Sequence, residues 1–86
     1  MYLIFTENKN KDTIAKLCTE YLRGCTIVDS LGVWDNEGLL ERENGLVIIA
    51  YEIEIGPVRE LCYAIKKENG QKRVDYVNIK SKVHCV

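Results

Sequence analysis

Apolar positions along the chain follow two different periods, which divide it into four strand-like and two helix-like segments. The strand-like segments are rich in β-branched and aromatic residues and cover residues 1–6, 25–34, 46–55 and 73–83. One helix-like segment follows the first strand, and the other follows the third. The pattern therefore predicts the element order β-α-β-β-α-β.

Each predicted helix carries one apolar stripe. In residues 12–23 the stripe recurs at intervals of three and four, at Ile14, Leu17, Cys18, Tyr21 and Leu22. We expect Gly24 to form a left-handed C-terminal cap of this helix. Gly56-Pro57 predicts the start of the second helix, because proline suits the first helical position, and Asn69-Gly70 predicts its end. The stripe of the second helix is Val58, Leu61, Cys62 and Ile65.

The first strand and the first half of the third strand are apolar at both alternating positions. Such strands are typical of the centre of a sheet, where both faces are covered. Together with the element order, this predicts an α+β fold, the ferredoxin-like βαββαβ sandwich, as one domain over residues 1–86. We expect a four-stranded antiparallel sheet in the order 4-1-3-2, with both helices on one face.

The stretch 24–38 joins the two halves of the chain. Gly32 interrupts a row formed by Thr26, Val28 and Trp34, and this gap predicts a bulge, a bend or a close neighbour. Residues 35–38 have the composition of a turn, and Asn44-Gly45 predicts a second turn. Residues 39–44 are either a short helical turn or one arm of a hairpin.

One row of side chains on each central strand must face away from the helices. Because these rows are apolar, they expose roughly several hundred Å², the size at which an apolar patch marks an interaction site. We therefore predict a homo-oligomer that forms through this open face of the sheet. The alternative is residual apolar surface, half covered by residues 35–44 and by the C-terminal tail.

Charge divides the chain unevenly although the net charge is only −1. Residues 35–54 carry six carboxylates against one arginine, and residues 66–86 carry six cations against two carboxylates. Either the two segments support self-association or they are two solvated faces. The net charge offers no argument for a membrane partner. No basic leader or long apolar run is present, so we expect a cytoplasmic location with the four cysteines reduced.

Side chains that carry catalysis or bind metal form no recognised pattern. Cys18 and Cys62 lie on the apolar stripes, and the one histidine, His84, lies close to the end of the sequence. We therefore expect no catalytic residues, no metal and no cofactor. The third strand has aliphatic residues where an RNA-recognition motif needs aromatic rings, which argues against nucleic acid as a partner.

The segment 24–43 has Gly24 after the first helix, then Thr26-Ile27, Gly32-Val33-Trp34, an acidic turn and Glu43. In this it resembles a group of small phage- and prophage-encoded ferredoxin-like proteins of unknown function. The resemblance implies a mobile-element setting, in which small oligomeric proteins act as inhibitors or as sponges for host immune nucleotides. It implies no catalytic residues.

Together these features predict a non-enzymatic, self-associating binding protein. It would capture a small anionic, nucleotide-like ligand or a host protein, in phage counter-defence. Candidate ligand-binding residues, chosen by type, are Trp34 and Tyr51 for stacking, Thr26 for hydrogen bonding, and Arg23 or Arg42 for charge. Two alternatives stay open. One is a small enzyme of the dimeric α+β-barrel kind, with a pocket lined by Tyr21, Tyr63 or Tyr76, and the other is a structural or assembly protein whose association weakens with salt.

Overall fold

The protein has the predicted ferredoxin-like fold. A computed structural model describes residues 1–51, 53–80 and 84. Its elements are β1 (Tyr2–Glu7), α1 (Lys11–Tyr21), β2 (Thr26–Asn36), β3 (Leu39–Ala50), α2 (Ile55–Asn69) and β4 (Asp75–Asn78). The strands form one antiparallel sheet in the order β2-β3-β1-β4. This confirms the predicted fold class and strand order.

The core lies between the sheet and the two helices. On the central strands, Ile4 pairs with Ile48, and both are fully buried beneath the helices. The helix stripes supply the other side of the core, with Ile14, Cys18, Leu22, Val58, Leu61, Cys62 and Ile65 all buried. Alternation along β1 and β3 buries every second residue, as a strand with one face on a core requires.

The two helices end differently. Gly70 caps α2 with φ +64°, and the N–H of Gln71 donates to the carbonyl of Lys66 at 3.0 Å, as expected for a left-handed cap. The same expectation for Gly24 is wrong. α1 ends at Tyr21, and Leu22 already takes an extended conformation, with φ −117° and ψ 148°. This turn buries the Leu22 side chain in the core, so no left-handed residue is required.

A long hairpin connects β2 and β3. Their register runs without a break from Thr26 opposite Ile49 to Asn36 opposite Leu39. Glu37 and Gly38 form a two-residue turn in which both have positive φ, 51° and 88°, the combination that matches the twist of paired strands.

The structure of this hairpin answers one open question from the sequence and corrects one prediction. Residues 39–44 are a hairpin arm, not a helical turn. The turn predicted at Asn44-Gly45 is wrong, because these residues lie inside β3 and pair with Leu31 and Ser30. The chain reverses at Glu37 and Gly38, which confirms the turn predicted at residues 35–38. There the N–H of Gly38 donates to the Asp35 carboxylate at 3.0 Å.

β3 ends earlier than predicted, and β4 starts later and ends earlier than predicted. The start of β1 limits both strands at their C-terminal ends. β1 starts at Tyr2, which pairs with Ala50 on one side and with Asn78 on the other. The predicted strand 46–55 therefore ends at Ala50, and α2 already begins at Ile55. The predicted strand 73–83 is confirmed over Asp75–Asn78, and residues 81–83 lie outside the described part of the chain.

Candidate functional site

An apolar band crosses all four strands on the sheet face away from the helices. It consists of Leu3, Phe5, Val28, Val47, Ile49 and Val77, and we call it the open face. Register makes it continuous, because Val47 lies opposite Phe5 on one side and opposite Val28 on the other. Phe5, Val28 and Val77 are each more than 40% exposed, at 41%, 45% and 44%. The predicted open face is therefore present.

The far half of the hairpin, residues 31–43, is apolar on both of its faces; we call it the hairpin arm. Trp34 and Leu39 lie on the same side as the open face, while Leu31, Val33 and Leu40 lie on the side of the helices. Neither described helix covers them, and Leu39 and Leu40 are 71% and 62% exposed. Residues 35–44 extend the sheet, so the alternative in which they fold over the open face is wrong.

Two glycines make a shallow pocket of about 370 Å³ beside the open face. Gly32 and Gly45 lie on neighbouring strands, and a Cβ on Gly45 would meet the Ser30 hydroxyl at 2.8 Å. Trp34 lies close to Gly32, with a ring carbon 3.7 Å from the Cβ position, which is the close neighbour that the sequence predicts. Glu7, Glu43 and Asp75 line the pocket. Lys9 pairs with Glu7 at 3.2 Å and Arg73 pairs with Asp75 at 2.9 Å, so among the described residues Glu43 is the lining carboxylate without a salt bridge and gives the pocket a slight preference for cations.

A second pocket, of about 600 Å³, lies beside the start of α2 and brings together two of the predicted ligand-binding residues. Arg23 and Tyr51 line it with Ile53, Glu54 and Pro57. No side chain caps the N-terminus of α2, so its backbone N–H groups add partial positive charge. The carboxylate of Glu54 opposes this charge and that of Arg23.

The other three predicted residues lie elsewhere. Thr26 and Trp34 are on one face of β2, eight residues apart, which is roughly 26 Å along a strand. Arg42 pairs with Val33 in the hairpin arm and points to the side of the helices. The fold therefore places the five candidates at separate positions, with only Arg23 and Tyr51 in one pocket, and their role in binding stays a prediction.

A third pocket, of about 230 Å³, lies between α2 and the edge strand β4, and we call it the α2/β4 pocket. Its lining contains two of the tyrosines expected for the alternative enzyme, Tyr63 and Tyr76. Tyr21 packs against the core instead. The remaining lining residues are Arg59, Cys62, Lys66, Arg73 and Val74.

Sequence reasoning missed the three cations of this pocket. Arg59, Tyr63 and Lys66 follow one another at intervals of four and three, so they form a second stripe along α2 beside the apolar one. That spacing is the signal by which the stripe could have been found. Arg73 comes from the loop before β4, and only the folded chain brings it close.

The arginines of the α2/β4 pocket have different partners. Arg73 is held by Asp75 through two hydrogen bonds, Nε to Oδ1 at 3.1 Å and Nη2 to Oδ2 at 2.9 Å, and this pairing raises the pKa of Arg73. A hydrogen bond with Tyr63 raises the pKa of Arg59. Burial raises the pKa of the Cys62 thiol to about 11, so it is neutral at physiological pH. The pocket therefore presents positive charge above an uncharged floor.

Cys18, the other buried cysteine of the described residues, is not an activated nucleophile. Burial, and after it the neighbouring Cys25, raises the pKa of Cys18 to about 12. Residues 1–51, 53–80 and 84 contain no group of three histidine, cysteine, aspartate or glutamate side chains that could hold a metal ion. Neither helix in the same residues is long and apolar enough to cross a membrane.

Comparisons with known proteins identify the fold but no family. No protein-family model and no curated protein matches the sequence. A phage SAM lyase in complex with S-methyl-5'-thioadenosine matches with a TM-score of 0.64 and 18% identity, over 87% of this chain and 75% of that one. The PII-like protein CutA from Nostoc matches with a TM-score of 0.65 and 14% identity, over 94% and 81%. A DUF3240 family protein from Shewanella baltica matches with a TM-score of 0.60 and 15% identity, over 99% and 93%.

At these identities the similarity concerns the fold alone. It agrees with the sheet order and with the helices on one face. The neighbours have different descriptions, so the fold they share does not select a function for this chain.

Proposed function

We propose that the protein is a self-associating binding protein that captures a small anionic, nucleotide-like ligand. Copies of the protein meet through the open face and the hairpin arm. The observation that carries the proposal is the open face, an uninterrupted apolar band over four strands with three side chains more than 40% exposed. Monomeric proteins rarely leave a patch of this kind uncovered.

The free energy gained by covering the open face is too small for stable association, so the hairpin arm must contribute as well. Covering a half-exposed valine or phenylalanine contributes about 1 kcal/mol, so Phe5, Val28 and Val77 together contribute about 3 kcal/mol per copy. Two copies in contact therefore gain about 6 kcal/mol, whereas association costs about 4–15 kcal/mol in lost freedom of motion. The open face alone is therefore marginal, and the five exposed apolar residues of the hairpin arm supply the surplus.

The hairpin arm is apolar on both of its faces, and this favours a closed ring of copies over a dimer. In a dimer with the open faces in contact, Leu31, Val33 and Leu40 would stay uncovered on the other side of the arm. In a closed ring each arm can lie between two neighbouring copies, which covers both of its faces. We therefore propose three or more copies related by rotation.

The ligand part of the proposal rests on the predicted residue types and on the resemblance to phage-encoded proteins. Arg23 and Tyr51 supply a cation and a ring in one pocket. A phage protein among the structures with the same fold supports the proposed mobile-element setting. Capture of a host protein by the same apolar surfaces is the other form of counter-defence that the sequence allows.

Self-association is tested by native mass spectrometry and light scattering on two matched variants. Val28→Glu places a carboxylate on the open face, and Ile55→Glu places one at the start of α2; the two side chains are 45% and 42% exposed. We expect the wild type and Ile55→Glu to form the same oligomer and Val28→Glu to be monomeric or much weaker. A wild type that is monomeric at 100 micromolar or so, about the Kd of a weak contact, contradicts the proposal.

A second candidate function is cleavage of S-adenosylmethionine. Two observations favour it: the fold match to a phage SAM lyase, and the pocket beside the open face, whose Glu43 carboxylate suits a sulfonium cation. In such a cleavage the carbon–sulfur bond to the amino-acid chain breaks and its electron pair stays on sulfur. The substrate's own carboxylate then closes on the released carbon as a lactone, so no outside reactant is needed.

Incubation with S-adenosylmethionine separates the two candidates. Release of S-methyl-5'-thioadenosine, lost in Glu43→Gln and kept in Glu60→Gln, would favour the lyase. Glu60 is an exposed carboxylate on α2 and serves as the matched control. Binding of a nucleotide without any product would favour the capture function.

A further inference from the structure

We infer that the α2/β4 pocket binds a nucleoside phosphate, with the base on its floor and the phosphate at its rim. The inference rests on the proposed capture of a nucleotide-like ligand and names the site for it. It differs from the residue set predicted by sequence, of which none lines this pocket.

The floor of the pocket suits an aromatic ring. Cys62 is buried, Val74 is half-buried, and both are uncharged at neutral pH. Tyr76 is held in place by Tyr2, with the ring centres 6.2 Å apart and the planes at 63°. Tyr63 stands across from it on α2 and is 62% exposed. Nucleobases stack on tyrosine rings without regard to base identity.

The rim of the pocket suits phosphate. Arg59, Lys66 and Arg73 are all exposed, so their charged ends lie at the mouth rather than the floor. Over the part of the chain that the structure describes, Arg59 and Lys66 make no salt bridge, and Arg73 is oriented by Asp75. Guanidinium groups bind phosphate through paired N–H donors, and a lysine adds a point charge.

The α2/β4 pocket differs in charge and size from the pocket of Arg23 and Tyr51 and from the pocket beside the open face. In the pocket of Arg23 and Tyr51 one cation faces the carboxylate of Glu54, and the pocket beside the open face slightly favours cations. The α2/β4 pocket has two tyrosines and three cations in its lining. Arg73 also lines the pocket beside the open face and is paired with Asp75, so the difference in charge comes from Arg59 and Lys66, for which the described residues show no salt bridge. Its volume of about 230 Å³ lies below the range of about 300–1,000 Å³ for complete ligand sites, so it holds the base while the phosphate stays at the mouth.

Isothermal titration calorimetry with ADP, adenosine and inorganic phosphate tests the inference on the full chain at low ionic strength. We expect ADP to bind more tightly than either of its parts. Arg59→Gln and Lys66→Gln should each weaken ADP binding about tenfold, the effect of losing one hydrogen bond between charged groups. Tyr63→Leu should weaken ADP and adenosine together. Lys16→Gln removes one positive charge from an exposed position on α1 outside the three pockets described above, so it should bind ADP as the wild type does.

Three results would overturn the inference. One is ADP affinity that is unchanged in the Arg59→Gln, Lys66→Gln double variant. Another is adenosine binding as tight as that of ADP, which would remove the role of phosphate. The third is the absence of ADP binding in the wild type. Native mass spectrometry on the same samples reports the number of copies, so a failure of binding is seen separately from a failure of self-association.

Discussion

The clearest stability prediction concerns Asn69, a buried polar side chain at the last residue of α2. Its exposed fraction is 7%, and its amide nitrogen lies 3.1 Å from the Thr6 hydroxyl, 3.2 Å from the Glu7 carbonyl and 2.7 Å from the Gln71 side-chain oxygen. The Thr6 hydroxyl also donates to Gln71. This network joins the end of α2 to β1 and to the loop that leads to β4.

Asn69→Ala should cost about 0.3–2.3 kcal/mol of unfolding free energy. The amide has two N–H groups, and each net hydrogen bond contributes about 0.5–1.5 kcal/mol. Alanine recovers up to about 0.7 kcal/mol as a better helix former. For a domain of this size, each 1 kcal/mol shifts the melting temperature by about 4–8 °C.

Urea unfolding at a fixed protomer concentration measures this loss, because self-association would make stability depend on concentration. Asn36→Ala is the matched control, since Asn36 is exposed and makes one hydrogen bond, to Glu41 at 2.7 Å. We expect the control to lie within about 0.5 kcal/mol of the wild type. The reasoning is refuted if Asn69→Ala is as stable as Asn36→Ala or more stable.

A double-mutant cycle then tests the network itself. Thr6→Val removes the hydroxyl that both accepts from Asn69 and donates to Gln71. Because the two residues share partners, the double variant should lose less stability than the two single losses added together, by about 0.5 kcal/mol or more. Additive losses would show that Asn69 acts through its other contacts.

Two further predictions concern close packing and the buried thiols. Gly45→Ala should cost about 1–3 kcal/mol in urea unfolding, because its Cβ would lie 3.0 Å from the Thr6 carbonyl, whereas Gly24→Ala, with no atom within 4 Å, should be neutral; equal effects would contradict this. Iodoacetamide at pH 9 should label half-buried Cys25 well before Cys18, whose pKa burial raises to about 12 from 9.0 in the unfolded chain. Because the Cys18 thiol keeps its proton in the folded chain up to a pKa of about 12 but loses it near pH 9 in the unfolded chain, the free energy of unfolding should fall as the pH rises from 9 to 12. A Cys18→Ala variant whose stability has the same pH dependence as the wild type would contradict this.

Local pattern was sufficient for the element types and for the order of strands. Helices follow from the spacing of apolar residues, and the central strands follow from residues such as Ile4 and Phe5, which are both apolar although they face opposite sides. These properties depend on neighbours a few residues away, so they can be derived from the sequence. The apolar open face followed from the same reasoning. Each central strand has two apolar rows of side chains, and only one of them can face the helices.

The composition of residues 35–38 was sufficient for the hairpin turn, whereas tertiary pairing decided the ends of the strands and kept the second predicted turn extended. β3 stops at Ala50 because its partner β1 starts at Tyr2, and Asn44-Gly45 stays extended because Leu31 and Ser30 pair with it. Composition near Ala50 or Asn44 contains no information about these partners. The register of distant strands therefore overrides a local turn preference.

The pockets depended most strongly on the folded chain. Arg59 and Arg73 are separated by a helix end and a loop. Arg23 meets Tyr51 because the start of β2 pairs with the end of β3, with Thr26 opposite Ile49. Residue type indicated which side chains could bind a ring or an anion. Their grouping into pockets is a matter of three-dimensional distance, which sequence separation does not measure.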